Sequence, residues 1–237
     1  MKIVGIIPAR KNSTRLPNKV LLDINGKPMI QHVYENLIKA KLESVIVACD
    51  DEDVFRTVLS FGGKAIITAK DHINGTSRIA EVARNIDADY IINVQGDEPL
   101  IKACMINDLI SAIDQNVKVI TLKQKLDNDI DNPNIVKVIT DYNDNAIYFS
   151  RSRIPFNRNN DVQYYKHIGV YCYDREFLFD YINMIPTKLE EAESLEQLRI
   201  IENGYVIKVI ESDYSSIGVD TLQDLKIVRG LLKSDKL

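Results

Sequence analysis

KIVGIIPARKNSTRLPNK, residues 2–19, decides how the rest of this chain is read. Its first half is an apolar, β-branched run of the length expected of a buried strand. Its second half carries four cations, Arg10, Lys11, Arg15 and Lys19, with Ser13, Thr14 and Pro17 between them. A buried strand that ends in so positive a loop is either a solvated turn or an anion site at a strand terminus. The loop matches neither G-x-x-x-x-G-K-[ST] nor G-x-G-x-x-G, and Pro8 stands at its start in place of glycine. An anion here would be gripped by side-chain cations and backbone N–H groups, with guanidinium forks bidentate on phosphate oxygens.

Outward from this stretch, helix-like and strand-like segments alternate. Residues 28–41 carry apolar side chains at helical spacing (Met29, Ile30, Val33, Leu37, Ile38), with Pro28 suited to a first turn. The pattern predicts strands at 44–50 and 64–68, and between them a helix at 50–63 with acidic residues in its first turn and glycines at its end. A helix follows over 75–86, capped by Thr76 or Ser77, and then a strand running into QGDEP, residues 95–99. This is the βαβαβ rhythm of a parallel sheet covered by helices. In such sheets ligands bind beyond the carboxyl ends of the strands, where both the cationic loop and QGDEP fall.

The second half is less regular. Residues 134–151 read as a β-hairpin turning at DYNDN, 153–165 as a loop, 166–174 and 205–212 as strands. Residues 189–204 read as one helix ending at Gly204, and 220–233 as an amphipathic helix starting at Asp220 or Thr221. The expected fold class is therefore α/β: a mostly parallel Rossmann-like sheet with helices on both faces and a β-hairpin insertion. We expect a single domain over 1–237, with the insertion around 133–165.

Composition narrows the function. The chain has 237 residues, 45% hydrophobic and 27% charged, an ordinary globular balance. A net charge of −4 argues against a nucleic-acid partner. No apolar run reaches transmembrane length, and the N-terminus enters a strand without a signal-peptide pattern, so no membrane association and a cytoplasmic location are expected. The three cysteines, Cys49, Cys104 and Cys172, have no metal or redox spacing.

Asp97 and Glu98 in QGDEP sit at an expected strand end. Carboxylates there suit Mg2+, although an acidic turn beside proline is also common. Asp220 is placed to cap the last helix or to reach a metal. The three histidines lack metal-ligand spacing, and no nucleophile elbow is present.

At this point ordered blocks carry a family likeness. IIPARKNSTRLPNKVLLDINGKPMIQHVYE, DHINGTSRIAEV, INVQGDEPLI, NPNIVKVI, AIYFSRSRIPF, KHIGVYCYDREFL, LEEAESLEQLRIIENG and GVDTLQDL together resemble the 3-deoxy-D-manno-octulosonate (Kdo) cytidylyltransferases. The blocks occur in the family's order and span nearly the whole chain. The resemblance implies a nucleotidyltransferase fold, CTP and a Kdo-type sugar acid as substrates, CMP-Kdo and pyrophosphate as products, Mg2+ as cofactor, and a homodimer. It implies that Arg10, Ser13, Arg15 and Lys19 bind the triphosphate. Asp97 and Asp220 match the metal ligands, so Lys19, Arg15, Asp97 and Asp220 form the expected catalytic set. Gly75, Arg78 and Gln95 match positions lining the nucleotide site. Ser150, Arg151, His167, Glu196 and Gln197 match positions near the sugar.

The family usually reads RLPGKPL where this chain has Asn18 and Val20. Ala69, Asn74, Ser77 and Phe156 also depart from common residues. Acylneuraminate and 8-amino-Kdo synthetases are the rival enzymes, and a non-catalytic nucleotide-binding module is the rival of another class. STRLPNK and QGDEP favour the Kdo type, and the intact cation and aspartate set argues for catalysis.

Overall fold

The opening apolar run folds as β1, Ile3–Ala9, with every residue buried. The computed structural model describes residues 1–11, 16–159, 162–214 and 216–234. Its contacts fall into two compact units, Met1–Asn107 with Ser215–Leu237, and Asp108–Tyr214.

In the first unit a 3-10 turn, Lys19–Leu21, follows the cationic loop. It leads to a short hairpin of β2, Asp23–Ile24, and β3, Lys27–Pro28. Asn25 and Gly26 both take positive φ (53° and 89°), as an Asn-Gly hairpin turn requires. Next come α1, Met29–Leu37, β4, Ser44–Cys49, α2, Glu52–Ser60, and β5, Ala65–Ile67. The segment closes with α3, Gly75–Arg84, β6, Tyr90–Asn93, and α4, Ala103–Ser111. α1 buries Met29, Ile30, Val33 and Leu37, while Ile38 lies outside the helix and is exposed. In the same helix the His32 ring is bonded through Nε2 to Ile24 O at 2.8 Å.

Strands run in the order β6-β1-β4-β5, and all three pairings are parallel. Parallel strands place their carboxyl ends at one edge. Residue 10 after β1, residue 50 after β4, residue 68 after β5 and residues 94–97 after β6 therefore share it. This shared edge positions the candidate site.

The second unit contains β7, Val119–Leu126, β8, Lys137–Thr140, β9, Ala146–Ser150, and β10, Tyr164–Asp174. These are followed by α5, Arg175–Ile182, α6, Lys188–Glu193, α7, Leu198–Glu202, and β11, Ile207–Glu211. β7 pairs antiparallel with β10 and parallel with β11. β8 and β9 form the expected hairpin, and the Asp141 carboxylate accepts the Asn143 and Asn145 amides within its turn, both at 2.8 Å. The chain then returns to the first unit as α8, Leu222–Ser234. Val219, Leu225 and Val228 pack there with Leu16, Ile24 and Met29.

Two local expectations are corrected. The helix read over 189–204 is two helices, α6 and α7, separated by Ser194 in the left-handed region (φ 52°). A capping box, Thr187 with Glu190, starts the first helix. Arg199 on the second donates Nε and Nη2 back to Glu190, at 2.7 and 2.5 Å, so a buried fork-to-carboxylate pair folds one short helix against the other. Glu196 and Gln197 thus lie at the junction, not inside one continuous helix. Second, α3 is capped by Asn74, whose side chain accepts the Ser77 amide at 2.8 Å. Asparagine is as good an N-cap as serine, and the helix itself starts at Gly75, where the 75–86 reading begins.

Candidate active site

A cavity of about 310 Å3 opens at the shared strand edge of the first unit. Arg10, Lys19, Gly75, Arg78, Gln95, Asp97 and Asp220 all line it, so the structure brings together every expected nucleotide and metal residue among the described residues. Ser13 and Arg15 lie outside the described residues.

Lys19 sits at the start of the 3-10 turn, with its side chain only 10% exposed. Its ammonium donates to Asp97 Oδ2 at 2.5 Å and to Asp220 Oδ1 at 2.9 Å. Burial alone pulls the Lys19 pKa down; the charges and hydrogen bonds of Asp97 and then Asp220 outweigh it, and the net shift is upward. Asn18, just before the turn, adopts φ 54°, ψ 28°. That is the left-handed region, where glycine is at ease and asparagine is among the best tolerated of other residues. Asparagine in place of the family's usual glycine is therefore a substitution that this backbone conformation tolerates. Val20 buries its side chain close to Gly96: a Cβ added at Gly96 would lie 3.3 Å from Val20 Cγ1.

The two aspartates come from distant segments that are stitched together. Val219 N–H donates to Asp97 O at 2.9 Å, and the Ser216 hydroxyl to Glu98 Oε2 at 2.5 Å. The question of whether Asp220 caps α8 is settled by its neighbours. The Asp224 carboxylate accepts the Thr221 amide at 2.8 Å, and Thr221 Oγ1 accepts the Asp224 amide at 3.2 Å. This reciprocal pair closes the helix start, and the Asp220 side chain turns to Lys19.

On the other side of the cavity lies the N-terminal turn of α3. Gly75 is its first residue, and a Cβ there would stand 3.1 Å from Pro8 Cγ and 3.3 Å from the Gln95 amide. Glycine lets the helix start and the Gln95 side chain approach closely. The positive end of the helix dipole favours an anionic or electron-rich ligand at this wall. Arg78, one turn on, is buried, and its Nη2 donates to Asp50 Oδ2 at 3.1 Å while Nη1 donates to Thr68 Oγ1 at 2.6 Å. Sequence reasoning read Asp50 as the end of the 44–50 strand and the start of an acid-led helix and gave it no role at the site; its signal was its place at the carboxyl end of a buried parallel strand. Glu98 was read with Asp97 as a carboxylate suited to Mg2+, whereas Ser216, which ties down Glu98, gave no sequence signal.

The five residues expected near a sugar all belong to the second unit. Ser150 Oγ donates to Glu193 Oε1 at 2.5 Å, and the Arg151 amide to Glu193 Oε2 at 2.9 Å. The Arg151 guanidinium donates to Glu193 O at 2.7 Å and Ser194 O at 3.4 Å, a cation at the carboxyl end of α6. His167 packs its ring between Phe149 and Tyr171, and burial pushes its pKa down to about 3. Its Nε2 lies 2.9 Å from Thr121 Oγ1, whose hydroxyl also lies 2.8 Å from Val170 O. The single hydroxyl proton goes to that carbonyl, so the neutral imidazole donates from Nε2. Gln197 is buried, with its Nε2 unpartnered among the described residues, and Glu196 O accepts the Tyr181 hydroxyl at 2.8 Å.

Comparison with known proteins follows the same lines. The family model described as cytidylyltransferase matches residues 4–212. The chain is 54% identical to the 3-deoxy-manno-octulosonate cytidylyltransferase of Fusobacterium nucleatum, covering 100% of this chain and 99% of that protein. The enzyme of the same name from Geotalea uraniireducens is 52% identical, over 98% of this chain and 100% of its own. Among solved structures, CMP:2-keto-3-deoxy-manno-octonic acid synthetase complexed with CTP superposes with a TM-score of 0.97 at 43% identity, covering 99% of this chain and 100% of that one.

Proposed function

The chain belongs to the 3-deoxy-manno-octulosonate cytidylyltransferases, and from that membership we propose that it transfers CMP from CTP to the anomeric hydroxyl of Kdo, releasing pyrophosphate and supplying CMP-Kdo for lipopolysaccharide synthesis. The observation that carries the reading is the Lys19–Asp97–Asp220 cluster in a cavity whose other walls are Arg10, the start of α3 and Gln95. The sugar hydroxyl forms a bond to the α-phosphorus, the bond from that phosphorus to the bridging oxygen breaks, and pyrophosphate leaves in line. The hydroxyl proton passes to solvent or to a nearby base.

The cationic loop and Lys19 lower the negative charge that an incoming hydroxyl would meet. Arg10 offers a guanidinium fork to phosphate oxygens, and we assign Ser13 and Arg15 of the loop to the same task. The amino end of α3 and the Gln95 amide present directional groups to the nucleotide. The donor set fits Mg2+: Asp97 and Asp220 already converge on one cationic centre, and both are part-exposed, with side chains 28% and 44% accessible. Among the described residues no group of three or more His, Cys, Asp or Glu gathers that could hold a metal. Two hard carboxylates plus ligand phosphates and water are the usual holders of this ion. When bound there, Mg2+ supplies Lewis-acid screening of the triphosphate. The second-unit residues Ser150, Arg151, His167, Glu196 and Gln197 are proposed to shape the sugar site. A homodimer and a cytoplasmic location complete the proposal; no described helix is long and apolar enough to cross a membrane.

The test is pyrophosphate release from CTP and Mg2+ with Kdo, 8-amino-Kdo, sialic acid or no sugar, each with an EDTA control. Release with Kdo, abolished by EDTA, is expected. Release with sialic acid alone would overturn the sugar assignment, and no release with any sugar would leave a nucleotide-binding module.

A further inference from the structure

Asp50 directly follows β4 and reaches in two directions. Its Oδ1 accepts the Lys11 backbone N–H at 3.0 Å, and its Oδ2 accepts Arg78 Nη2 at 3.1 Å. The Arg78 side chain is 4% exposed and that of Asp50 13%, so this is an interior ion pair rather than a surface one. Arg78 Nη1 is held as well, by Thr68 Oγ1 at 2.6 Å and Ala69 O at 3.1 Å. Thr68 in turn donates its hydroxyl to Cys49 O, the residue before Asp50, at 3.1 Å.

The result is a closed circuit through three strand ends and one helix. One carboxylate fixes the point where the cationic loop leaves β1. The same carboxylate, with Thr68 and Ala69, clamps a guanidinium that lines the cavity. Asp50 also balances the Arg78 charge. Arg78 therefore offers the cavity directed N–H donors rather than net positive charge; Lys19 is balanced by its own two carboxylates, and net positive charge among the described lining residues is left to Arg10.

We propose that Asp50 is a positioning residue for nucleotide binding, acting through Arg78 and the Lys11 amide rather than by touching the reacting atoms. The inference rests on the CTP reading above. Removing its charge leaves a buried guanidinium with a missing partner and lets the loop entry shift. The loss then falls on CTP binding and not on the chemical step.

The experiment is titration calorimetry of the full chain with CTP, beside steady-state kinetics, for wild type, D50N, R78Q and the double variant. D50N is expected to weaken CTP binding tenfold or more, while kcat at saturating CTP falls less than threefold. A merely structural defect would lower kcat through a smaller active fraction and leave KM unchanged. Because Asp50 acts in part through Arg78, the double variant is expected to lose clearly less affinity than the sum of the two single losses. If D50N fails to fold, D50E keeps the charge, misplaces the carboxylate and carries the same test. CTP affinity within twofold of wild type, or fully additive losses, would overturn the inference. A wild type that binds no CTP overturns the function reading and this inference together. A wild type that binds CTP beside an equally tight D50N overturns this inference alone.

Discussion

The Lys19 ammonium stands 2.5 Å from Asp97 Oδ2, and the same nitrogen holds Asp220 at 2.9 Å. One lysine thus occupies the place between the two carboxylates to which a divalent cation would be drawn. A divalent cation held by Asp97 and Asp220 would compete with Lys19 for the same oxygens. K19M is expected to bind Mn2+ without nucleotide about tenfold more tightly than wild type, because a unit charge at contact distance is worth more than that in a part-buried site. Its turnover is expected to fall about a hundredfold or more, the usual loss of a placed electrostatic group. Equal or weaker Mn2+ binding, read by calorimetry or electron paramagnetic resonance, would show that no competition exists.

Asp220 and Thr221 are neighbours with separable duties. D220N is expected to lower turnover at saturating Mg2+ by about a hundredfold or more, with a stability loss of no more than about 1 kcal/mol from the weakened bond to Lys19. T221A is expected to cost about 1 kcal/mol of stability through the lost cap and to leave turnover nearly intact. Chemical denaturation and a pyrophosphate assay separate the two. D97N belongs with D220N, and near-normal turnover in either would remove the metal assignment.

Asn18 takes positive φ without being glycine. N18G is expected to be neutral or slightly stabilising, whereas N18A should lose about 1 kcal/mol because alanine lacks the short polar side chain that makes asparagine well tolerated in the left-handed region. Denaturant midpoints at a single pH read the difference. An alanine variant as stable as the glycine variant would mean the turn is not held at that φ.

His167 supplies a pH dependence with a definite sign. Its folded pKa, pushed down to about 3 by burial, lies below the ordinary unfolded value near 6.5. The unfolded chain therefore takes up a proton first as pH falls. Stability is full above about pH 6.5 and declines below it, by about 2 kcal/mol at pH 5. H167Q retains a donor toward Thr121 and should flatten that slope. Parallel losses for wild type and H167Q between pH 7.5 and 5 would refute this account.

Much of the first unit was legible because its signals are local. The apolar runs of β1, β4 and β6 and the acid-led start of α2 each reveal themselves within a dozen residues. The parallel rhythm then places Arg10 and Asp97 at one edge before any coordinate is known. What sequence missed was set by tertiary partners. Arg199 reaching Glu190 splits the 189–204 helix, since intrinsic propensity does not register a kink fixed by a buried ion pair. Asn74 and Ser77 looked like plain departures from a pattern until the cap joined them. The Asp220 carboxylate could be assigned only once Thr221 and Asp224 were seen to close the helix. Asp50 was hidden in plain view, because an acidic residue before a helix has an ordinary explanation that leaves nothing to ask.

The stitch between Val219 and Asp97 sets a timetable for the ribosome. A chain made from its amino end carries Lys19 and Asp97 early, then waits through the whole second unit before Asp220 emerges. Until then the nascent protein has strands and a cationic loop but lacks half of its carboxylate pair. A product cut short before Asp220 therefore lacks one of the two carboxylates that hold Lys19, however well its sheet has formed. The pairing of Lys19 with Asp220 is completed only in the last stretch of synthesis, and any assay of folding during translation has in this closing segment a natural end-point.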